Sequence, residues 1–202
     1  MVAPALVGVV LAAGRSSRMG RPKQLAELGG RPLLEHALAA MAAAPVDRVV
    51  VALGAEADRV LARVPLHGAE PLVTTRWAEG MGAVLAEAAA AVPGAAGIVV
   101  TLGDQPFVTT AAVARLAAAW RAGAGPVVSA AYDGRPGHPK LFDASLLPDL
   151  TRLTGDQGAR ELLAGRPELV TLVECGGLGD DLDVDDEAAL AEAAARLARR
   201  PG

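Results

Sequence analysis

Short, almost unbroken apolar runs recur along this chain, and each is followed by a stretch in which alanine and leucine fall at helical spacing. Residues 7–11, 48–53, 70–74, 98–102, 126–131 and 169–174 read as strands, with 140–142 at the edge of a further short one. Residues 32–43, 55–63, 82–91, 109–121, 143–153, 158–163 and 186–199 read as helices, the first with Pro32 at an early helical position. A strand without polar alternation has to be covered on both faces. The pattern therefore predicts a three-layer α/β/α, Rossmann-like arrangement with a mostly parallel sheet. No linker, repeat or low-complexity block interrupts it, so a single domain spanning 1–202 is expected. In such sheets ligands bind beyond the carboxyl ends of the strands, where the strand order reverses.

The loop after the first strand carries the strongest chemical signal. The apolar run ends in Ala12-Ala13-Gly14, and Arg15, Arg18, Arg21 and Lys23 follow within nine residues, with Gly20 among them. Small residues let a backbone approach a ligand closely, arginine offers planar forked donors, and lysine offers a compact charge. These features predict a polyphosphate site of a nucleoside triphosphate. Gly14 and Gly20 are separated by five residues, and Arg21-Pro22 follows, so this is not a Walker A loop; GxGxxG is also absent. The chain has 19 Lys plus Arg, yet only Lys23 and Lys140 are lysines, which makes a lysine in this loop chemically telling.

Composition narrows the classes. The net charge of −4 offers no general attraction to nucleic acid. A lone cysteine, Cys175, excludes an intramolecular disulfide and a multi-cysteine metal site. The apolar stretch from 83 to 102 is broken by Glu87, Pro93, Gly94 and Gly97, so it is not read as a membrane span. A soluble, cytoplasmic protein is expected.

Four further segments could carry chemistry. Asp104 follows a buried strand and Gly103, where a carboxylate could hold Mg²⁺ against phosphate oxygens or simply close a turn. Asp183 and Asp185 are two apart, so only one would face a metal if the segment is extended; Asp186 and Glu187 suit a helix start. Gly80 and Gly82 flank Met81 at a helix start that could receive an anion, with Trp77 either packing or capping the crevice. His138 sits in a constrained Gly-His-Pro loop, and Asp156 with Arg160 looks like a polar lid before a helix. His36 and His67 are isolated and read as structural or exposed.

Taken in order, LAAGRSSRMGRPKQL (11–25), VALGAE (51–56), WAEGMG (77–82), GDQPFV (103–108), GHP (137–139), LTGDQGAR (153–160) and DVDD (183–186) resemble the MobA-like nucleotidyltransferases, most closely the molybdenum cofactor cytidylyltransferases. The resemblance implies transfer of CMP from CTP to Mo-molybdopterin with release of pyrophosphate, Mg²⁺ being the cofactor. It implies nucleotide contacts from Leu11, Ala12, Ala13, Gly14, Arg15, Arg18, Lys23, Gly80 and Gly82, with Arg18, Lys23 and Asp104 catalytic. It also implies a metal shared by Asp104 and Asp185, and an acceptor side around His138, Asp156 and Arg160. A molybdoenzyme or its maturation chaperone would be the downstream partner, with no nucleic acid or membrane involved. Ala13 replaces a glycine common in relatives that use GTP, which favours CTP over a guanylyltransferase or sugar-phosphate nucleotidyltransferase reading. A non-catalytic cofactor-delivery protein is the alternative of another class. Thr74, Ala83-Val84 and Lys140 depart from the pattern, where asparagine, a serine pair and a small apolar residue are common.

Overall fold

In the computed structural model, which describes residues 5–16, 19–156 and 158–199, strands and helices alternate. The order is β1 (Leu6–Ala12), β2 (Glu27–Leu28), β3 (Arg31–Pro32), α1 (Leu33–Ala42), β4 (Arg48–Leu53), α2 (Ala57–Leu61) and β5 (Glu70–Val73). It continues with α3 (Met81–Ala90), β6 (Gly97–Leu102), α4 (Thr110–Arg121), β7 (Val127–Tyr132) and β8 (Arg135–Asp143). Last come α5 (Leu147–Leu150), α6 (Gly158–Ala164), β9 (Val170–Glu174) and α7 (Glu187–Ala198). Seven strands form one sheet in the order β5-β4-β1-β6-β8-β7-β9, in which β8 alone runs against its neighbours. After β5 the chain crosses back to the other side of β1 to lay down β6, so the order reverses between β1 and β6.

The pleat of β1 explains the three layers. Leu6, Val10 and Ala12 pack with Leu34, Leu38 and Met41 of α1 and Val113 and Leu116 of α4. Val7, Val9 and Leu11 pack on the other face with Val84, Leu85 and Ala88 of α3, Leu150 of α5 and Leu163 of α6. Every residue of β1 is buried, and each large aliphatic side chain so placed contributes about 1.5–3 kcal/mol. Gly8 is needed for this packing, because a Cβ there would come within 2.6 Å of the Met41 side chain. A smaller cluster, Leu28, Leu33, Phe107, Val184 and Ala193, seats α7 against the β2–β3 hairpin. Helix starts use short polar caps: Thr109 Oγ1 accepts from Ala112 N at 3.2 Å, and an Asp186 carboxylate oxygen from Ala189 N at 2.8 Å.

Two expectations are corrected. The short strand expected to have 140–142 at its edge is the nine-residue β8, which lies inside the sheet between β6 and β7. Pro136, Gly137 and Pro139 argue against an interior strand, but the β7–β8 register shifts between Ser129 and Ala131, and the prolines fall at that irregularity. The helix expected over 143–153 is a 3-10 turn (Ala144–Leu146) and the single turn of α5. No helix among the described residues is long and apolar enough to cross a membrane.

Candidate active site

A cavity of about 430 Å³ opens at the carboxyl ends of β1 and β6, where the strand order reverses. Its walls include Leu11 to Arg15, Lys23, Trp77, Gly80 and Asp104. The loop after β1 is held open by Gln24, which is buried: its Nε2 donates to Ala12 O at 2.8 Å and to Gly14 O at 3.0 Å. Ser16 Oγ accepts from Lys23 N at 2.9 Å and so fixes the return of the loop. A Cβ added at Gly14 would meet nothing within 4 Å, and its φ is outside the left-handed region. Nothing among the described residues demands glycine there, whereas close approach of a phosphate would. Gly20, at φ 63°, is needed for the turn itself. Arg18 lies outside the described residues.

Three of the predicted residues meet at the cavity floor. Lys23 Nζ donates to Asp104 Oδ2 and, at 2.8 Å, to Asp185 Oδ1. Burial opposes the ammonium, but the Asp104 and Asp185 carboxylates outweigh it and hold Lys23 above its ordinary pKa. The other oxygen of Asp104, Oδ1, is buried and accepts no hydrogen bond among the described residues. Two carboxylates already gathered round a positive charge, one with an orphaned oxygen, fit a hard divalent cation. Among the described residues there is no group of three or more His, Cys, Asp or Glu that could hold a metal. A Mg²⁺ bound here would therefore take the rest of its oxygens from phosphate and water, as that ion commonly does.

Asp183 does a different job. Gln105 Nε2 donates to Asp183 Oδ1 at 2.9 Å and to Asp181 O at 3.3 Å, while Val184 N donates to Asp104 O at 3.0 Å. These bonds lay the 181–185 strap against the end of β6 and present Asp185 to Lys23. Burial and the nearby Asp104 charge hold the Asp183 carboxyl above the usual carboxylate range.

On the opposite wall the Arg15 guanidinium lies 4.6 Å from the centroid of the Trp77 ring, a cation–π distance, and Trp77 also packs on the core beneath α3. The expectation of an open anion site at the start of α3 is corrected, because that helix start is already satisfied. Gly155 O accepts from Gly82 N at 2.8 Å and Ala83 N at 3.3 Å, and Asp156 Oδ1 accepts from Met81 N at 3.3 Å. Gly80 has φ 126°, and a Cβ on it would strike Asp156; a Cβ on Gly82 would come within 2.9 Å of Gly155 O. These glycines seat the 154–156 segment on α3. Gly80 still lines the cavity, and Gly82 does not.

Beyond Asp156 lies a second cavity of about 370 Å³, which shares Leu11, Met81 and Asp156 with the first. His138, Lys140, Phe142, Leu85, Val100 and Arg160 are on its walls, so the three predicted acceptor residues are brought together. Burial, with the Lys140 charge adding to it, pushes His138 down to about 3, so its ring is neutral at physiological pH.

Residues 8–171 match the MobA-like NTP transferase domain. The chain belongs to the MobA-like NTP transferase family. It is 37% identical over 195 residues to nicotine blue oxidoreductase of Paenarthrobacter nicotinovorans, covering 91% of this chain and 95% of that protein. It is also similar to the crystal structure of Rv0371c from Mycobacterium tuberculosis H37Rv, with a TM-score of 0.85, 34% identity, and 96% and 100% of the two chains covered. The structure of Rv0371C complexed with manganese gives a TM-score of 0.81 at 32% identity, with 95% and 98% covered.

Within this MobA-like frame, the sequence reading missed two glutamines. Gln24 shapes the first loop and Gln105 holds the aspartate strap, and both are buried. A signal was present for each: an amide next to a charged loop residue and followed by apolar sequence, in KQL and DQPF.

Proposed function

We propose that this MobA-like nucleotidyltransferase transfers CMP from CTP to Mo-molybdopterin, giving the cytosine dinucleotide cofactor and pyrophosphate. The observation that carries nucleotidyl transfer is the Lys23–Asp104–Asp185 cluster at the strand-order reversal. The cytidylyl and molybdopterin parts rest on Ala13 in LAAG and on the likeness of GDQGAR to the cytidylyl branch. The triphosphate lies along Leu11 to Arg15, with Arg18 and Lys23 stabilising charge on the departing pyrophosphate. Asp104 and Asp185 would hold Mg²⁺, which would supply positive charge to polarise the phosphate under attack; the manganese complex of Rv0371C supports a divalent ion at this fold. The acceptor enters past His138, Asp156 and Arg160, and its phosphate attacks the α-phosphorus in line. A phosphate is already an anion near neutral pH, so no strong base is needed and the residues act by positioning and charge. The dinucleotide then passes to a molybdoenzyme or its maturation chaperone.

The test is incubation with Mg²⁺, Mo-molybdopterin and each of the four triphosphates in turn, reading pyrophosphate and product mass. Pyrophosphate and the cytosine dinucleotide with CTP are expected. Preference for GTP would overturn the cytidylyl assignment. The name of the Paenarthrobacter relative supports a second reading, a redox activity on nicotine blue. Absence of pyrophosphate with every triphosphate, together with nicotine-blue-dependent oxidation of a reduced nicotinamide, would favour it.

A further inference from the structure

Lys140 stands out in the second cavity. His138, Lys140 and Phe142 alternate along β8 and line that cavity together with Leu85 and Val100. Its register partners are Val100 on β6 and Ser129 on β7, so it is an interior position of the sheet. An apolar side chain would pack there at no electrostatic cost. Instead the chain places one of its two lysines there, half-buried. Lys140 Nζ donates to Gly137 O at 2.8 Å, and among the described residues no carboxylate lies within ion-pair distance of it. Burial holds its pKa below the ordinary value, with Asp181, which lies beside Gly137, opposing the shift. His138 is neutral, so Lys140 is the charged group at the sheet floor of the cavity. Asp156, Arg160 and Glu161 are exposed at its mouth. A partly desolvated ammonium with Asp181 nearby but no carboxylate at ion-pair distance among the described residues, beside apolar walls, suits an anionic ligand with a flat apolar body.

We propose that the cavity beyond Asp156 is a subsite for a phosphate or carboxylate carried on a flat, largely apolar ring, and that Lys140 is the residue that selects the anion. Calling this ligand the acceptor rests on the nucleotidyl-transfer reading; its binding does not. Recognition by Lys140 would add a requirement for charge that a small apolar residue at this position could not impose.

The experiment is a direct binding titration of the full chain, without nucleotide, against 1-naphthyl phosphate, 2-naphthoate and uncharged 1-naphthol. Wild type should bind one or both anions at least about tenfold more tightly than naphthol, the increment expected of a charge-assisted hydrogen bond. Lys140→Met should remove that preference and Lys140→Arg should keep it, with circular dichroism confirming the fold of each. If Lys140→Met does not fold, Lys140→Gln and the wild-type anion-to-naphthol ratio still decide the matter. Which anion is preferred separates a phosphate ligand from a carboxylate one. Equal binding of all three probes overturns the proposal, as does no binding by wild type or wild-type affinity in Lys140→Met. Loss of naphthyl phosphate binding in Lys23→Ala but not in Lys140→Met would place the anion in the first cavity and also overturn it. Pyrophosphate release with CTP is read separately, so failure of the transferase reading leaves this result standing.

Discussion

Asp104 and Asp183 are both aspartates of the same cluster, but they stand in different relations to the cation at its centre. Asp104 shares Lys23 with Asp185 and keeps an orphaned oxygen, whereas Asp183 accepts from the Gln105 amide. Asp104→Asn keeps the shape and removes the charge, so turnover should fall roughly 100-fold or more at saturating Mg²⁺. Asp183→Asn retains an oxygen for Gln105 and should cost far less. Steady-state kinetics of the two variants checks this, and near wild-type turnover in Asp104→Asn would sink the metal assignment. At this scale the residues that gather at the cavity floor were legible as candidates because charged groups in glycine-rich loops after apolar runs have few other reasons to be there. The sequence left the choice between Asp183 and Asp185 open, because alternation says only that the two point apart. The choice depends on Gln105, 78 residues from Asp183.

At the level of elements, the start of α3 and the 154–156 segment behave as one unit. Gly80 adopts φ 126°, a conformation that side chains resist at a cost of about 1–3 kcal/mol, and any Cβ would also strike Asp156. Gly80→Ala should therefore lower Tm by about 2–4 °C for each kcal/mol lost and loosen the wall between the two cavities. Gly14→Ala meets nothing among the described residues, so its Tm should be unchanged while nucleotide binding weakens. Thermal unfolding and CTP titration of both variants test the distinction, and an equal fall in Tm for the two would refute it. Apart from the helix expected over 143–153, the longer helices and the parallel strands were readable from apolar spacing within a residue or two. β8 was not, because prolines and glycine in RPGHPK disguise a strand whose place is set by β6 and β7 on either side. The use of Gly80 and Gly82 was also hidden, since it depends on a loop more than 70 residues further on.

For the whole molecule, burial of a neutral histidine couples stability to pH. His138 falls from an ordinary value of 6.5 to about 3 in the folded protein, so between those values the unfolded chain binds more protons. Its contribution is complete above pH 6.5, is lost progressively as pH falls towards 3, and changes no further below that. His138→Gln should flatten the acid limb of stability over that window, measured by denaturant unfolding at several pH values; an unchanged limb would mean that the ring is charged in place. A long distance along the chain is closed at the cavity floor. Lys23 and Asp185 are 162 residues apart, with β2 through β9 between them. A growing polypeptide could assemble the sheet through β6 while its chemical centre stayed incomplete. The last carboxylate arrives only after the strap beyond β9 has docked. Ligand affinity at that floor would thus be a late reporter of folding, certifying that two distant stretches of the chain have met.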